Sequence, residues 1–207
     1  MKLPLTFSAD PNTDVWKKPP SHDVFTAPYR SHSKDATAAF SSATITFTCT
    51  YTKQFDQAGI LFIFHPPEST TTEPPAARKW IKAGIEFFDG SPRLSTVCCD
   101  AWADWSIAPL PASACLDDVV KGKESVTICV EKENGTTGTS MWVYCVDAKN
   151  PEAPTTKLPM REINWPFGEA ASAGWELEVA AAIARPDKAG HDKLEASFSH
   201  FDVRWAE

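Results

Sequence analysis

A strict alternation of apolar and polar residues places three chemically useful side chains on one face of a predicted strand. In residues 80–87, Trp80, Lys82 and Glu86 point one way and the apolar residues point the other. At strand spacing, Trp80 and Lys82 lie about 7 Å apart, and Lys82 and Glu86 about 13 Å. An indole ring can stack on a sugar or a flat metabolite while charged groups fix polar ligand atoms. This face therefore predicts a carbohydrate or small-molecule site with Trp80 as the binding ring.

The same two charged residues could instead form a catalytic pair. Burial lowers the pKa of a lysine and raises that of a glutamate, towards the values that general acid–base catalysis uses. The alternative function is therefore a cofactor-independent isomerase, cyclase or hydrolase in which Glu86 and Lys82 are the acid and base. A third interpretation is an interaction module in which both residues pair only with charges on neighbouring strands and stabilise the fold.

Glycoside hydrolysis has weak support in the sequence. It needs two carboxylates, about 5–5.5 Å apart for retention or about 6.5–9.5 Å apart for inversion. Gly84 and Phe88 occupy the positions two residues away from Glu86, so no second acid lies beside it on the strand. Another strand would have to supply it, from Asp56, Asp104 or Glu162.

Asp56 and Gln57 directly precede a strongly apolar run and are candidate ligand-binding residues. A buried Asp56 needs polar partners, because an unpaired carboxylate in an apolar environment is costly. It could orient Lys82, or it could accept hydrogen bonds from loop amides, and the structural role is favoured.

Three residues in the second half of the chain are further ligand-binding candidates. Trp142 and Tyr144 share one face of a predicted strand and could widen an aromatic groove, although packing in the sandwich core is the favoured alternative for each. Arg161 could bind an anionic group or pair with a neighbouring acid.

Short strand patterns dominate the chain from residue 43 onward. Residues 44–51 alternate, whereas residues 60–64 are apolar on both faces, as is typical of a central strand covered on each side. Residues 126–131 and 141–146 flank an Asn-Gly turn and predict a hairpin. Further strands are predicted at 80–87, 94–99, 175–184 and 198–205, and a surface loop at 65–79.

Two segments are ambiguous. Residues 175–184 are rich in alanine, which favours a helix, but they alternate with period two and lie between Gly174 and Pro186, so we predict a strand. Asp104-Trp105-Ser106 predicts a turn, with Trp105 filling a gap between sheets. A ligand-binding role for Trp105 is the minority alternative.

Many short strands with few helices predict an all-β sandwich. The length of 207 residues fits one domain, so we assign residues 1–207 to a single unit. Residues 10–35 are polar and rich in proline, with isolated aromatic residues as anchors. Residues 1–40 are therefore expected to form an extended arm packed on the sandwich.

Composition and charge exclude several classes of function. Hydrophobic residues make up 43% and charged residues 23% of the chain, which are ordinary globular values. Lys and Arg number 20 against 27 Asp and Glu, a net charge of -7, so nucleic-acid and anionic-membrane partners are not expected. The apolar run at residues 3–7 is too short for a signal-peptide core, which predicts a cytoplasmic protein.

Metal and cofactor motifs are missing from the sequence. The five histidines are scattered, and the six cysteines form no C-x-x-C pair. Glycine-rich phosphate and dinucleotide motifs and the G-x-S-x-G nucleophile motif do not occur. We therefore expect neither a metal nor a cofactor.

Five ordered motifs resemble a domain-of-unknown-function family that includes the yeast regulation-of-enolase protein. They are DVWKKPP at 14–20, FDQAGI at 55–60, WIKAGIE at 80–86, DWS at 104–106 and LPMRE at 158–162. The resemblance spans nearly the whole chain and implies a concanavalin A-like jelly roll of two antiparallel sheets, one of them curved to give a concave face. It also suggests a regulatory link to central carbon metabolism, with a metabolic enzyme as partner. The expected function is an intracellular binding protein that holds a carbohydrate or small metabolite on the concave face.

Overall fold

The computed structural model describes residues 2–67, 79–147 and 156–206, and these residues are almost entirely strands and loops. Its regular elements comprise fourteen strands, a 3-10 turn at Thr37–Ala39 and two short helices. Neither helix in these ranges is long and apolar enough to cross a membrane. The bounds are β1 Leu5–Ala9, β2 Val15–Lys18, β3 His22–Phe25, β4 Tyr29–Ala36, β5 Phe40–Cys49, β6 Gln57–His65, β7 Lys79–Phe88, β8 Ser91–Cys99, β9 Ala103–Ala108, α1 Leu116–Val120, β10 Val126–Gly135, β11 Gly138–Asp147, β12 Thr156–Ile163, α2 Glu169–Ser172, β13 Glu176–Ala184 and β14 Leu194–Trp205.

Twelve of these strands form two antiparallel sheets of six. The first sheet has the order β1-β14-β5-β10-β11-β12, and the second has the order β4-β13-β6-β7-β8-β9. Strands β2 and β3 form a separate hairpin. Residues 2–40 are thus distributed over three places, because β1 pairs with β14, β4 pairs with β13, and the hairpin lies between them in the chain.

The strand predictions agree with the structure at most positions. β5, β6, β7, β8 and β14 contain the predicted runs or nearly all of them, and β10 and β11 form the predicted hairpin. Residues 176–184 are a strand rather than a helix, which confirms the choice of period two over alanine propensity. The predicted turn at Asp104-Trp105-Ser106 is wrong, because these residues lie within β9, where pairing with β8 keeps them extended. Most of the loop predicted at 65–79, residues 68–78, lies outside the described residues.

The main core lies between the two sheets, and period-two patterns fill it. Ile45 and Phe47 of β5 are almost completely buried, as are Ile81 and Ile85 of β7 on the facing sheet. Each alternation therefore directs its apolar residues inward, as the sequence predicts.

A second apolar cluster covers part of the outer face of the second sheet. Leu61 and Ile63 of β6 and Trp80 of β7 pack there against Val15 of the hairpin. The outer face of β6 is thus covered by the N-terminal segment, which explains why residues 60–64 are apolar on both faces and confirms that prediction.

Two glycines bring β6 and β7 unusually close together. Gly59 and Gly84 are opposite each other in the register. A Cβ on Gly84 would lie 2.1 Å from the carbonyl oxygen of Ala58 and 2.8 Å from Gly59 Cα. A small space of about 30 Å³ adjoins this glycine pair on the outer face. The outer face therefore carries no side chains at Gly59 and Gly84, and we call this pair of positions the glycine floor.

Gly84→Ala is expected to destabilise the protein by about 3 kcal/mol, at the upper end for overpacking, because the obstacle is backbone and cannot rotate away. Gly168→Ala is the control, since among the described residues its Cβ would meet one atom, at 3.4 Å. Urea unfolding measures both changes. Equal stability of Gly84→Ala and the wild type would contradict the close approach.

Candidate functional site

A pocket of about 240 Å³ lies on the outer face of the second sheet, beside the β2–β3 hairpin. Four separate parts of the chain form its walls: the segment entering the hairpin, the loop before β6, and the strands β7 and β9. The lining side chains are Asp14, Trp16, Phe55, Lys82, Glu86 and Trp105. Lys82 and Glu86 lie on either side of Gly84, so the glycine floor separates the two charged groups.

Lys82 is held in place by polar and aromatic neighbours. Its Nζ donates to Gln57 Oε1 at 2.6 Å and lies 3.4 Å from Asp14 Oδ1. The same nitrogen is 5.9 Å from the ring centroids of both Trp16 and Trp80. The ammonium group is thus stabilised by a carboxylate, an amide oxygen and two indole rings.

Glu86 is the most buried charged side chain of the pocket, with 6% of its surface exposed. Its Oε2 accepts a hydrogen bond from Ser95 Oγ at 2.8 Å, and Ser95 Oγ in turn accepts one from Trp105 Nε1 at 3.1 Å. Burial raises the pKa of the Glu86 carboxyl, and the nearby Asp14 acts in the same direction. The Lys82 charge and the hydrogen bond from Ser95 oppose this rise only in part, so Glu86 is a weaker acid than an exposed glutamate.

Phe55 is in a strained backbone conformation at the rim of the pocket. Its φ is 67°, in the left-handed region that bulky residues rarely adopt. The ring is 37% exposed and lies 5.8 Å from the Phe88 ring and 6.2 Å from the Trp105 ring, measured between centroids. Such strain persists only where surrounding contacts impose it, and it is frequent at ligand sites.

Hydrogen bonds of Phe55 and of Asp56 hold this loop. The Phe55 amide donates to the Phe87 carbonyl at 2.7 Å, and the Phe87 amide donates to the Asp56 carbonyl at 2.8 Å. The Asp56 side chain is completely buried, and Arg185 donates to it through Nε at 2.8 Å and through Nη2 at 2.7 Å. The backbone amides of Thr52 and Lys53 also donate to Asp56 Oδ2. Asp56 therefore satisfies loop amides, the structural role favoured from the sequence, and makes no hydrogen bond to Lys82 in the described structure.

The structure brings together some of the predicted residues and separates others. Lys82, Glu86 and Gln57 meet at the pocket. Trp80 lies next to Lys82, but only 1% of its surface is exposed because the hairpin covers it. It is therefore not an open stacking surface, and Trp16, Phe55 and Trp105 are the rings that line the pocket.

Trp142, Tyr144 and Arg161 lie away from this pocket. Trp142 and Tyr144 stack with centroids 5.9 Å apart on the face of the first sheet that points away from the core. They are therefore neither core residues nor part of the pocket. Arg161 pairs with Asp104 at 2.6 Å and donates to Ser106 Oγ at 3.1 Å, which corresponds to its predicted alternative as an ion-pair partner.

Sequence reasoning did not select Asp14, Trp16, Phe55, Ser95 or Trp105 as favoured site residues. Asp14 and Trp16 belong to the DVWKKPP motif and Trp105 to the DWS motif, so the ordered motifs contained the only available signal for them. Ser95 lies outside these motifs and had no signal. Within the described ranges, no group of three or more His, Cys, Asp or Glu residues could hold a metal ion.

The raised pKa of Glu86 predicts a specific pH dependence of stability. The folded protein retains this proton at pH values where the unfolded chain has lost it, so the contribution to the free energy of unfolding is full below about pH 4.3 and is lost as the pH rises through the folded pKa. The glutamine in Glu86→Gln cannot ionise, so the variant does not lose this contribution as the pH rises. The free energy of unfolding of the variant, relative to that of the wild type, should therefore increase between about pH 4 and pH 8. Urea unfolding across this range measures the trend. The exposed Glu195→Gln is the control, and a flat difference for Glu86→Gln would contradict the prediction.

Known structures share the fold of this chain. A functionally unknown protein from Saccharomyces cerevisiae aligns with a TM-score of 0.67 and 20% identity, over 98% of this chain and 88% of that one. A GH43 protein from Bacillus licheniformis gives a TM-score of 0.59 at 12% identity, but the match covers only 33% of that protein and 98% of this chain. An exolytic PL7 alginate lyase from Zobellia galactanivorans gives 0.52 at 11% identity, over 98% of this chain and 84% of that one. These similarities confirm the predicted jelly-roll β-sandwich and show the fold alone.

Sequence similarity identifies the family. An uncharacterised protein of Emericella nidulans is 34% identical over 191 residues, which cover 91% of this chain and 80% of that protein. Residues 2–204 match the family described as "Protein of unknown function (DUF1349)". With nearly its whole length matched, the chain belongs to the DUF1349 family.

Proposed function

We propose that this protein binds a carbohydrate or a small metabolite in the pocket between the hairpin and strand β9. The observation that supports this most strongly is the convergence of three aromatic rings, from three separate segments, around a lysine and two carboxylates. Aromatic walls with a few fixed polar groups are typical of small-molecule sites. A purely structural network would not require an open space between these groups.

The volume of the pocket limits the size of the ligand. Pockets for drug-sized ligands occupy about 300–1,000 Å³, and this one is smaller, at about 240 Å³. We therefore expect a ligand about the size of a single sugar ring, with any further units lying outside the pocket. Phe55 and Trp105 would contact its apolar face, and Lys82, Glu86 and Asp14 its polar atoms.

The alginate lyase that shares the fold is consistent with a carbohydrate ligand, although a shared fold does not carry function. A cytoplasmic location remains a prediction from the sequence. A metabolic-enzyme partner and a role in carbon metabolism rest on the family resemblance alone, and the binding proposal does not depend on them.

Phe55→Gly is expected to abolish binding and to lower the free energy of unfolding by about 1–2 kcal/mol. Glycine relieves the strained φ, worth about 1 kcal/mol, but the variant loses the aromatic contacts, about 0.5–1.5 kcal/mol, and the partial burial of the ring, about 1–2 kcal/mol. The measurement is a thermal-shift screen of neutral sugars and crude metabolite extract. A ligand at 100 times its dissociation constant stabilises the fold by about 2.7 kcal/mol, which is readily visible.

Trp102→Ala is the matched control for this screen, because Trp102 is also exposed, at 42%, but lines a different cleft next to Lys17. It should keep every ligand that the wild type binds. A ligand retained by Phe55→Gly and lost by Trp102→Ala would place the site elsewhere. No ligand for the wild type would favour the structural interpretation.

A catalytic function is the second candidate, because Glu86 combines a raised pKa with a second carboxylate, Asp14, in the same pocket. A carboxyl that stays protonated nearer to neutral pH can act as a general acid. If the ligand is turned over, Glu86→Gln should lower kcat by at least about 100-fold and keep binding, since general acid–base catalysis contributes about 10²–10⁴-fold. Product formation in Glu86→Gln at the wild-type rate would exclude this role.

A further inference from the structure

The polar groups of the pocket have hydrogen-bonding positions that the described residues leave open. Asp14 Oδ1 accepts from the Val15 amide at 2.7 Å and from Gln57 Nε2 at 3.3 Å, and it also lies near Lys82 Nζ. In the described part of the chain, Asp14 Oδ2 and Glu86 Oε1 accept no hydrogen bond, although the Trp105 indole N–H also lies close to the Glu86 carboxyl. Lys82 has acceptors for two of its three N–H groups. The pocket thus offers two carboxyl oxygens and one N–H to a ligand.

The hydrogen-bond chain from Trp105 determines which oxygen of Glu86 carries the proton when this carboxyl is neutral. An indole N–H can only donate, so Ser95 Oγ accepts from Trp105 and has its own hydrogen available for Glu86 Oε2. Oε2 is then an acceptor, and the proton of neutral Glu86 lies on Oε1. Ser95 and Trp105 are positioning residues for this proton, and a protonated Oε1 can donate to a ligand oxygen.

The charges of the pocket are already compensated. Lys82 lies beside Asp14, and when Glu86 carries its proton the lining side chains have no net charge, so an anionic ligand would find no unpaired cation and would face the carboxylate of Asp14. A cationic ligand would face the ammonium of Lys82. Bringing a net charge of either sign into such a partly buried site is unfavourable, because the ligand loses hydration without gaining a free counter-charge.

Arg93 and Lys17 lie near the pocket without lining it. Arg93 is the register partner of Glu86 and therefore lies on the same face of the sheet, but its side chain is not among those that line the pocket. Lys17 lies 5.4 Å from the ring centroid of Trp102 and 3.8 Å from Asp23, in the neighbouring cleft. Among the residues that the structure describes, Lys82 is therefore the only cation that lines the pocket.

We infer that the pocket selects an uncharged, hydroxyl-bearing ring and discriminates against the phosphorylated, carboxylated and amino forms of the same ring. This inference rests on the proposed function. A hydroxyl group both donates and accepts, so it can satisfy Asp14 Oδ2, Glu86 Oε1 and the open N–H of Lys82 without bringing a net charge. The apolar faces of such a ring can lie against Phe55 and Trp105.

The test compares matched sets of sugars by ligand-observed NMR and isothermal titration. Each set contains a neutral hexose, its 6-phosphate, its uronic acid and its 2-amino form, starting with glucose and galactose. The neutral member should bind at least about tenfold more tightly than every charged member of its set. Equal or tighter binding of a phosphate, uronate or amine would overturn the charge selection and leave the pocket as a binding site. No binding by any member would overturn both proposals.

Asp14→Asn provides a second readout on the same sets. Without the carboxylate, Lys82 is no longer compensated, so the preference for the neutral sugar over its 6-phosphate should fall about tenfold. Asp23→Asn is the control, because Asp23 is on the same hairpin but lines the neighbouring cleft. Its preference should equal that of the wild type. An unchanged preference in Asp14→Asn would overturn the charge argument, and its melting temperature shows whether the variant is folded.

Discussion

The ion pair between Asp56 and Arg185 is the interaction on which the geometry of the pocket depends. Asp56 ends the loop that presents Phe55, and Arg185 directly follows β13. The backbone of Arg185 also binds Thr13, whose amide donates to the Arg185 carbonyl and whose hydroxyl accepts from the Arg185 amide. Thr13 precedes Asp14, so one buried pair anchors both the loop that carries Phe55 and the entry to the hairpin.

A buried ion pair is tolerated only when its remaining hydrogen-bonding positions are filled, because removing two charges from water is costly. Here they are filled. Arg185 Nη1 donates to the carbonyl of Asp192 and Nη2 donates to Thr52 Oγ1, while Asp56 accepts from two loop amides. Together with Thr13, the pair thus connects three segments that are distant in sequence: Thr13, the loop 52–56 and residues 185–192. Its energetic cost is offset by this network, and its consequence is a loop rigid enough to hold Phe55 in a strained conformation.

The sequence predicted those features that arise from local periodicity. Alternation along β7 correctly separated Ile81 and Ile85 from Lys82 and Glu86, because side-chain direction on a strand follows directly from position. The apolar run of β6 correctly predicted cover on both faces. Such patterns indicate that a face of a strand is covered by other parts of the chain, but they do not identify the covering segment.

The other features depend on contacts between distant segments. Asp14 and Lys82 are 68 residues apart, and no period or spacing connects them. The alternation predicts Trp80 as an open stacking surface because it contains no information about the hairpin that lies over this ring. The Asp and Ser neighbours of Trp105 predict a turn, whereas pairing with β8 makes the segment a strand and directs the ring to the pocket. At this position, pairing with β8 overrides the turn preference of the local residues.

The outer face of the second sheet serves two opposing requirements along one strand. At the Trp80 end of β7, the apolar side chains must be shielded from water, and the hairpin shields them. At the Glu86 end, the glycine floor and the strained loop keep the face open. Lys82 lies between these ends and is fixed by Gln57 and Asp14, while Ser95 fixes Glu86. Because these side chains are already ordered, a ligand would lose little affinity to side-chain ordering. A small pocket on a rigid sheet can therefore bind a single ring usefully, where a mobile surface of the same composition would not.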